Sequence, residues 1–281
     1  MPICAAIATL HHKERYITAS LHAKLQWQVV PYSEFDTDAL GTFSGEIERT
    51  LTPLDCATEK ARQALAVDGA SIGLGNEGSF SADPYLLCTI NQELLVAVDE
   101  QGQLLATGQY TAPINIDIVE CSPSDWQTNP TIVETFIQAI PTDQAVIVVA
   151  KDEQQQIIEV YKPLYEQSAI RAALDHSSSN PTVRLLELTY DLRALHCPQR
   201  QIHIARAAED LARRLRHHCP KCGAVDFVAD HKVAGLPCEL CGAPTTLPKA
   251  VVARCKQCGH EETTAVMQTI ASAVHCSLCN P

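Results

Sequence analysis

The chain has 281 residues, 46% of them hydrophobic, and a formal net charge of −12. This length is sufficient to bury a core and predicts about two domains, while the composition excludes collagen-like, repeat and disordered chains. No apolar run approaches the roughly 18 residues that a membrane span needs, and no basic flank precedes the short apolar run of the N-terminus. We therefore expect a cytoplasmic protein with no membrane partner.

The charge is distributed unevenly along the chain. Residues 1–199 hold 11 basic against 26 acidic side chains, a balance of −15, whereas residues 200–281 hold 10 against 7, a balance of +3. An acidic body disfavours general affinity for nucleic acid through its phosphates.

The hydrophobic pattern predicts alternating strands and helices. In chain order, the predicted elements are a strand in ICAAIAT, a helix over 13–26, a strand in WQVV, a helix over 53–67, a strand in ASIGLG, extended segments in LLCTI, ELLVAVD, QLLATGQY and INIDIV, a helix over 123–139, strands in AVIVVA and QIIEVY, a helix from about 164, and a strand over 183–188. This order predicts an α/β fold with a mixed sheet.

A long amphipathic helix is predicted from Arg200 to His217, with an apolar stripe that includes Ile204, Leu211 and Leu215. We interpret it as the link to a cysteine-rich tail. The predicted division is an α/β body over 1–199, with an acidic active-site rim, and a helix with a two-zinc ribbon module over 200–281.

Eight of the thirteen cysteines form four Cys-x-x-Cys pairs near the end of the chain. The pairs are Cys219/Cys222, Cys238/Cys241, Cys255/Cys258 and Cys276/Cys279. Eight thiolates at this spacing predict two closed tetrahedral Zn²⁺ sites with a structural role. Two pairings remain open: sequential, or nested with the two inner pairs sharing an ion. Because the inner pairs read as one complete ribbon, we favour the nested scheme.

The stretch FDTDALGTFSGE, residues 35–46, gathers three acids, three hydroxyls and two glycines without a basic residue. Ligands of open α/β sheets bind at loops that follow strands, and three such loops, HHKER, DTDALGTFSGE and NEGSF, are predicted to share one rim. Carboxylate oxygens are the ligands that Mg²⁺ or Mn²⁺ prefers. The predicted catalytic metal ligands are Asp36, Asp38, Glu46 and Glu77. A solvated acidic loop is the alternative interpretation.

Five segments resemble an uncharacterised bacterial family: ATLHHKER, DTDALGTFSGE, NEGSF, DLRALHCPQR and the closing CNP. The likeness covers nearly the whole chain and implies no activity. A more distant likeness is to the inosine and xanthosine triphosphate pyrophosphatases, through Ala8, Thr9 and Lys13, then Ala57, Lys60 and Ala61, then Glu77 and Gly78. That likeness implies binding of a nucleotide phosphate.

Candidate substrate-binding residues fall in these segments. They are Thr9, His12, Lys13, Thr42, Ser44, Lys60 and Ser79. We expect a Mg²⁺-dependent hydrolase of a nucleotide or another phosphorylated small molecule, in which Lys13 and Lys60 balance the phosphate charge. The alternative is a non-enzymatic adaptor whose ribbons bind a protein or RNA partner.

Overall fold

The computed structural model describes residues 2–37, 51–85 and 87–281. Within these ranges the chain forms three sheets and six α-helices. The helices are α1 (Glu14–Leu25), α2 (Pro53–Ala64), α3 (Pro123–Thr128), α4 (Thr131–Ala139), α5 (Gln167–Ser178) and α6 (Pro198–Arg216). The strands are β1 (Cys4–Ala8), β2 (Gln28–Tyr32), β3 (Ile72–Asp83), β4 (Cys88–Val98), β5 (Leu104–Ile114), β6 (Ile118–Cys121), β7 (Val146–Lys151), β8 (Ile157–Leu164), β9 (Leu185–Tyr190), β10 (Ala229–Ala234), β11 (Pro248–Arg254) and β12 (Glu261–Ala265). The predicted α/β class, mixed sheet and long helix are confirmed.

The first sheet has the strand order β2-β1-β3-β4-β5. Strand β1 is parallel to both β2 and β3, whereas β4 is antiparallel to β3 and β5. Because β1 and β2 are parallel, the residues that follow them, 9–13 and 33–37, leave the sheet at the same edge.

Helix α2 packs closely on one face of the first sheet because β3 carries glycines there. A Cβ on Gly75 would lie 1.9 Å from the carbonyl oxygen of Ala57, and one on Gly73 would lie 2.0 Å from that of Ala61. The helix begins as its sequence predicts: the Thr52 hydroxyl accepts a hydrogen bond from the Asp55 N–H at 3.1 Å. This close approach brings the side chains of α2 onto the strand.

Helix α6 packs on the opposite face of the same sheet. Its residues Ile204 and Leu211 are fully buried in one core cluster with Ile7 and Leu95, and α1 completes this layer with Ile17. A division at residues 199 and 200 into separately folding units stays a prediction. A chain that ended near Leu195 would lack α6, which covers this face of the sheet.

The second sheet is antiparallel, in the order β6-β9-β7-β8, and packs against α3, α4 and α5. The sequence predicted one helix over 123–139, but the structure has two, separated at Asn129 and Pro130. Proline lacks the N–H that a continuous helix would need, so the chain restarts there. The sequence placed the start of the next helix at about residue 164, but β8 continues to Leu164 and α5 begins at Gln167.

The predicted loop at NEGSF is wrong. Residues 76–80 lie inside β3, which continues to Asp83 and pairs with β4 from Gly73↔Val98 to Asp83↔Cys88. Asn76 and Gly78 are of residue types common in turns. They are tolerated within β3 because neighbouring side chains and α2 occupy the space above the strand. The rim that we expected from three loops therefore has a strand in place of its third loop.

The third sheet forms the tail, in the antiparallel order β10-β11-β12. Among the residues that the structure describes, no helix has the length and apolarity needed to cross a bilayer.

Candidate functional site

The tail holds two clusters of four cysteines that could each bind a metal ion. In each cluster one sulfur per residue lies within 4.8 Å of the others. Four sulfurs about 2.3 Å from a tetrahedral Zn²⁺ would lie about 3.8 Å apart. The Sγ–Sγ distances of 3.7 and 3.5 Å in the first cluster, and of 4.0 and 3.6 Å in the second, fit this geometry. Both clusters are consistent with structural zinc, as the ribbon prediction requires.

The pairing of the cysteines corrects both schemes drawn from the sequence. Cys219 and Cys222 join Cys255 and Cys258, while Cys238 and Cys241 join Cys276 and Cys279. Each segment between successive pairs contains one strand of the third sheet. Each strand therefore takes the chain from one end of that sheet to the other. The first and third pairs therefore meet at one end, and the second and fourth meet at the other.

Backbone N–H groups lower the pKa of one thiol in each cluster, whereas the neighbouring thiols and burial raise the pKa of Cys222 and of Cys279 to about 12. The N–H groups of Cys258 and Gln257 lower the pKa of the Cys255 thiol to about 6. Those of Cys279 and Leu278 lower the pKa of Cys276 to about 7. Positive φ angles near 70–78°, which glycine adopts without strain, occur at the glycine after three of the pairs: Gly223, Gly242 and Gly259.

A second cluster lies in the body and consists of charged groups that are buried, except for the partly exposed Lys13. It comprises Lys13, Lys60, Glu77, Glu93 and Arg200, and we call it the charged cluster. On the α2 face, the Lys60 ammonium lies 2.6 Å from Glu77 Oε2, and both side chains are less than 10% exposed. The Cys56 thiol donates to the same oxygen at 3.7 Å.

The other face of the same strands holds the second ion pair. Arg200 Nε donates to Glu93 Oε1 at 2.7 Å, and its Nη1 donates to the Leu192 carbonyl at 2.8 Å. Its guanidinium also lies 5.4 Å from the centre of the Phe80 ring. A Cβ on Gly78 would lie 2.3 Å from Arg200 and 2.4 Å from Glu93, so only glycine leaves room for this pair on β3.

Amide groups complete the surroundings of Glu93, which is fully buried. Asn76 and Asn91 donate to its two oxygens at 3.1 and 3.2 Å, and His203 Nδ1 lies 2.7 Å from Asn91 Oδ1. Burial lowers the pKa of His203, which favours the neutral ring. Among the described residues, the buried Asn76 Oδ1 has no hydrogen-bond partner.

Lys13 follows β1 at the edge of the sheet, where the charges of both ion pairs act on its ammonium group. Its Nζ donates to the Asn76 carbonyl at 3.4 Å. Burial and the positive charges of Arg200 and Lys60 together lower its pKa to about 7, against the opposing effect of Glu93 and Glu77. The ammonium therefore loses its proton more readily than that of an exposed lysine, and an anion placed beside it would raise its pKa.

The remaining predicted site residues divide into four groups. Thr9 is buried and accepts hydrogen bonds from the N–H groups of His11 and Lys13, so it holds the turn before α1. Asp36 and His12 are exposed. Asp38, Thr42, Ser44 and Glu46 lie outside the described residues.

Ser79 lies on β3, where its carbonyl accepts from Asn91 at 3.2 Å. The predicted convergence of Asp36, Asp38, Glu46 and Glu77 stays a prediction.

Sequence reasoning missed Glu93, Arg200, Asn76, Asn91 and His203. A signal was present for Glu93, because it alternates with Leu95 and Ala97 on a core-facing side of β4, where an acid requires a partner. Three of the segments that carry the family resemblance meet in the charged cluster: the first supplies Lys13, NEGSF supplies Glu77, and DLRALHCPQR supplies Arg200.

The comparison with known families agrees with this resemblance. The family described as a domain of unknown function, DUF6671, matches residues 60–281, which is more than three quarters of the chain. The chain belongs to this family. No curated protein matches the chain, and no solved structure does. The likeness to the triphosphate pyrophosphatases remains a resemblance between short motifs.

Proposed function

We propose that the chain is a Mg²⁺-dependent hydrolase of a nucleotide or another phosphorylated small molecule, with a structural zinc tail. The observation that carries the proposal is the convergence of Lys13, Lys60 and Arg200, with their two carboxylates, at the edge of the sheet where β1 and β2 end. Buried charge at this density is expensive to maintain and is typical of functional sites.

In this proposal, the substrate's phosphate binds beside Lys13. An ammonium whose pKa is near 7 gains its proton fully when a phosphate approaches, so binding and protonation support each other. The Lys60–Glu77 and Arg200–Glu93 ion pairs lie on opposite faces of β3 and β4. Because both pairs are hydrogen-bonded, the charges around the bound phosphate keep fixed positions. Asp36, with Asp38 and Glu46, would hold the Mg²⁺, which supplies charge neutralisation and an activated water.

The test is a screen of nucleoside triphosphates and smaller phosphate esters with the full-length, zinc-loaded protein, which follows release of phosphate and pyrophosphate as Mg²⁺ is titrated. Activity should require Mg²⁺, and Lys13→Gln should reduce kcat/KM by about 10²-fold or more, as the loss of one charge-stabilising group does elsewhere. The matched control is Lys232→Gln, an exposed lysine on β10.

Two results would overturn the proposal. One is the absence of turnover with every phosphate ester, together with no Mg²⁺-dependent rise in melting temperature. The other is an activity that Lys13→Gln and Lys232→Gln reduce equally.

A second candidate function is the non-enzymatic adaptor, and one observation favours it. Leu240 and Leu278, at the tips of the two knuckles of the second Cys4 cluster, are 74% and 73% exposed, and the neighbouring Val274 is 67% exposed. Uncharged apolar tips suit a protein partner better than RNA. Replacing Leu240 and Leu278 by Ser should leave zinc content unchanged yet remove a specific partner from crosslinked complexes; identical complexes from both proteins would count against the adaptor.

A further inference from the structure

A separate surface groove lies between the end of α1, strand β5 and the second half of α6. Its volume is about 710 Å³, within the range of ligand-binding clefts. The side chains that define it are Lys24, Tyr110, Arg206, Arg213, Arg216 and His217. None of these residues belongs to the charged cluster or to a Cys4 cluster.

The groove is positively charged although the chain carries a net charge of −12. Four permanent cations line it against two carboxylates, Glu209 and Asp210. Both carboxylates are already engaged: Glu209 lies 2.7 Å from Arg206, and Asp210 accepts from Arg213, from Arg214 and from the backbone of β5. Among the described residues, Lys24 and Arg216 have no acidic partner within 4.0 Å.

The helix dipole does not account for all of these cations. Arg213 and Arg216 lie in the last turn of α6, where positive charge interacts favourably with the helix C-terminus. Lys24 lies in the last turn of α1, so the same effect accounts for it. Arg206 lies about two turns before the last turn of α6, outside that effect. The feature that all four cations share is the groove that they face.

The length and composition of the groove specify the kind of ligand. Ten residues separate Arg206 from Arg216, which is about 15 Å along the helix axis, so one phosphate group cannot contact both. Tyr110 adds a partly exposed aromatic ring, which packs on His203 with 5.3 Å between the ring centres. A row of cations beside an aromatic ring is the combination that binds successive phosphates and a stacked base of a single strand.

We propose that this groove binds single-stranded nucleic acid through its phosphate backbone. The local positive field offsets the repulsion from the acidic body, and Tyr110 supplies a stacking surface that a bare polyphosphate chain would not use. The site is independent of the proposed hydrolase site, so either can fail without the other.

The experiment is fluorescence anisotropy of labelled oligouridylate and oligothymidylate of about 12 nucleotides, titrated with full-length, zinc-loaded protein at about 50 to 200 mM salt. The main variant is Lys24→Gln with Arg216→Gln, because both side chains are exposed and their removal strands no carboxylate. It should weaken binding at least tenfold at low salt. The slope of log K against log salt should also become shallower by about 1.4, since each lost phosphate contact contributes about 0.7.

The matched control removes the same charge elsewhere, with Lys232→Gln and Lys249→Gln on the tail sheet, and should change affinity less than twofold. Tyr110→Leu, which retains the apolar bulk, should weaken oligonucleotide binding and leave inorganic polyphosphate binding unchanged. Three results would overturn the proposal: no binding of wild type at about 50 mM salt, equal weakening by the control pair, or polyphosphate binding as tight as the oligonucleotide with no effect of Tyr110→Leu.

Discussion

Arg214, in the last turn of α6, donates a hydrogen bond from Nη1 to Asp226 Oδ1 across 2.9 Å. Asp226 also accepts from Lys256, which lies between the cysteines of the third pair, at 2.6 Å. Both Arg214 and Asp226 are buried, so the helix that carries Arg200 at its start is joined at its end to the first Cys4 cluster.

The first prediction concerns this connection. Arg214→Met should lower the free energy of unfolding by about 3–5 kcal/mol, because it removes a buried cation that pairs with Asp210, Asp226 and Asp230 and leaves Asp226 with the exposed Lys256. The adjacent Arg213 is 46% exposed and, within the described part of the chain, pairs only with Asp210, so Arg213→Met should cost less than about 1 kcal/mol. Urea denaturation of the two variants measures the difference, and equal losses would show that the connection contributes little.

The second prediction concerns the cysteine pairing. The Cys238→Ser/Cys276→Ser double variant should retain one zinc ion per chain, because both residues belong to the second cluster. Cys238→Ser/Cys255→Ser should retain none, because it damages both clusters. Nested pairing gives the opposite results for these two variants, so elemental analysis decides between them. Cys121→Ser, outside both clusters, should keep two ions.

The third prediction concerns the buried pair of Lys60 and Glu77. Lys60→Met should destabilise the fold by about 3–5 kcal/mol, since it removes the buried cation that lies 2.6 Å from Glu77 Oε2. Glu261→Gln, which breaks the exposed pair with Arg254, is the control and should cost less than about 1 kcal/mol. Chemical denaturation measures both values. A loss from Lys60→Met no larger than the control would mean that water reaches this site in solution.

The fourth prediction is a pH dependence from Lys13. Its pKa falls from 10.5 to about 7 on folding, so between these values the unfolded chain binds more protons than the folded chain. Stability should therefore rise with pH above about 7 relative to Lys13→Met, with a limit of about 1.4 kcal/mol per pH unit. Below pH 7 both states are protonated and the difference should become constant.

Lys13 is partly exposed, so solvent screening makes the expected slope smaller than this limit. Denaturation curves of wild type and Lys13→Met at several pH values between about 6 and 9 provide the measurement. Lys232→Met should give a difference that does not change with pH. A difference for Lys13→Met that is equally flat would contradict the lowered pKa.

Local signals in the sequence determined several elements directly. Thr52, Pro53 and Asp55 predict the start of α2 because a hydroxyl cap, a fixed φ and an acidic first turn act within four residues of one another. The eight cysteines predict two Cys4 clusters because their spacing within each pair is local. The α/β class follows from hydrophobic periodicity, which is also a local property.

The tertiary structure alone decided which distant groups meet. The pairing of Cys219 with Cys255 depends on how many strands cross the tail sheet between them, and no local signal counts such crossings. Glu93 and Arg200 are 107 residues apart. They meet because α6 approaches the first sheet closely, and small residues such as Gly108, beside Ala207, permit that approach. The spacing of residues along the chain determines a helix or a strand. The partner of a buried charge depends instead on which faces of the helices and sheets pack against each other.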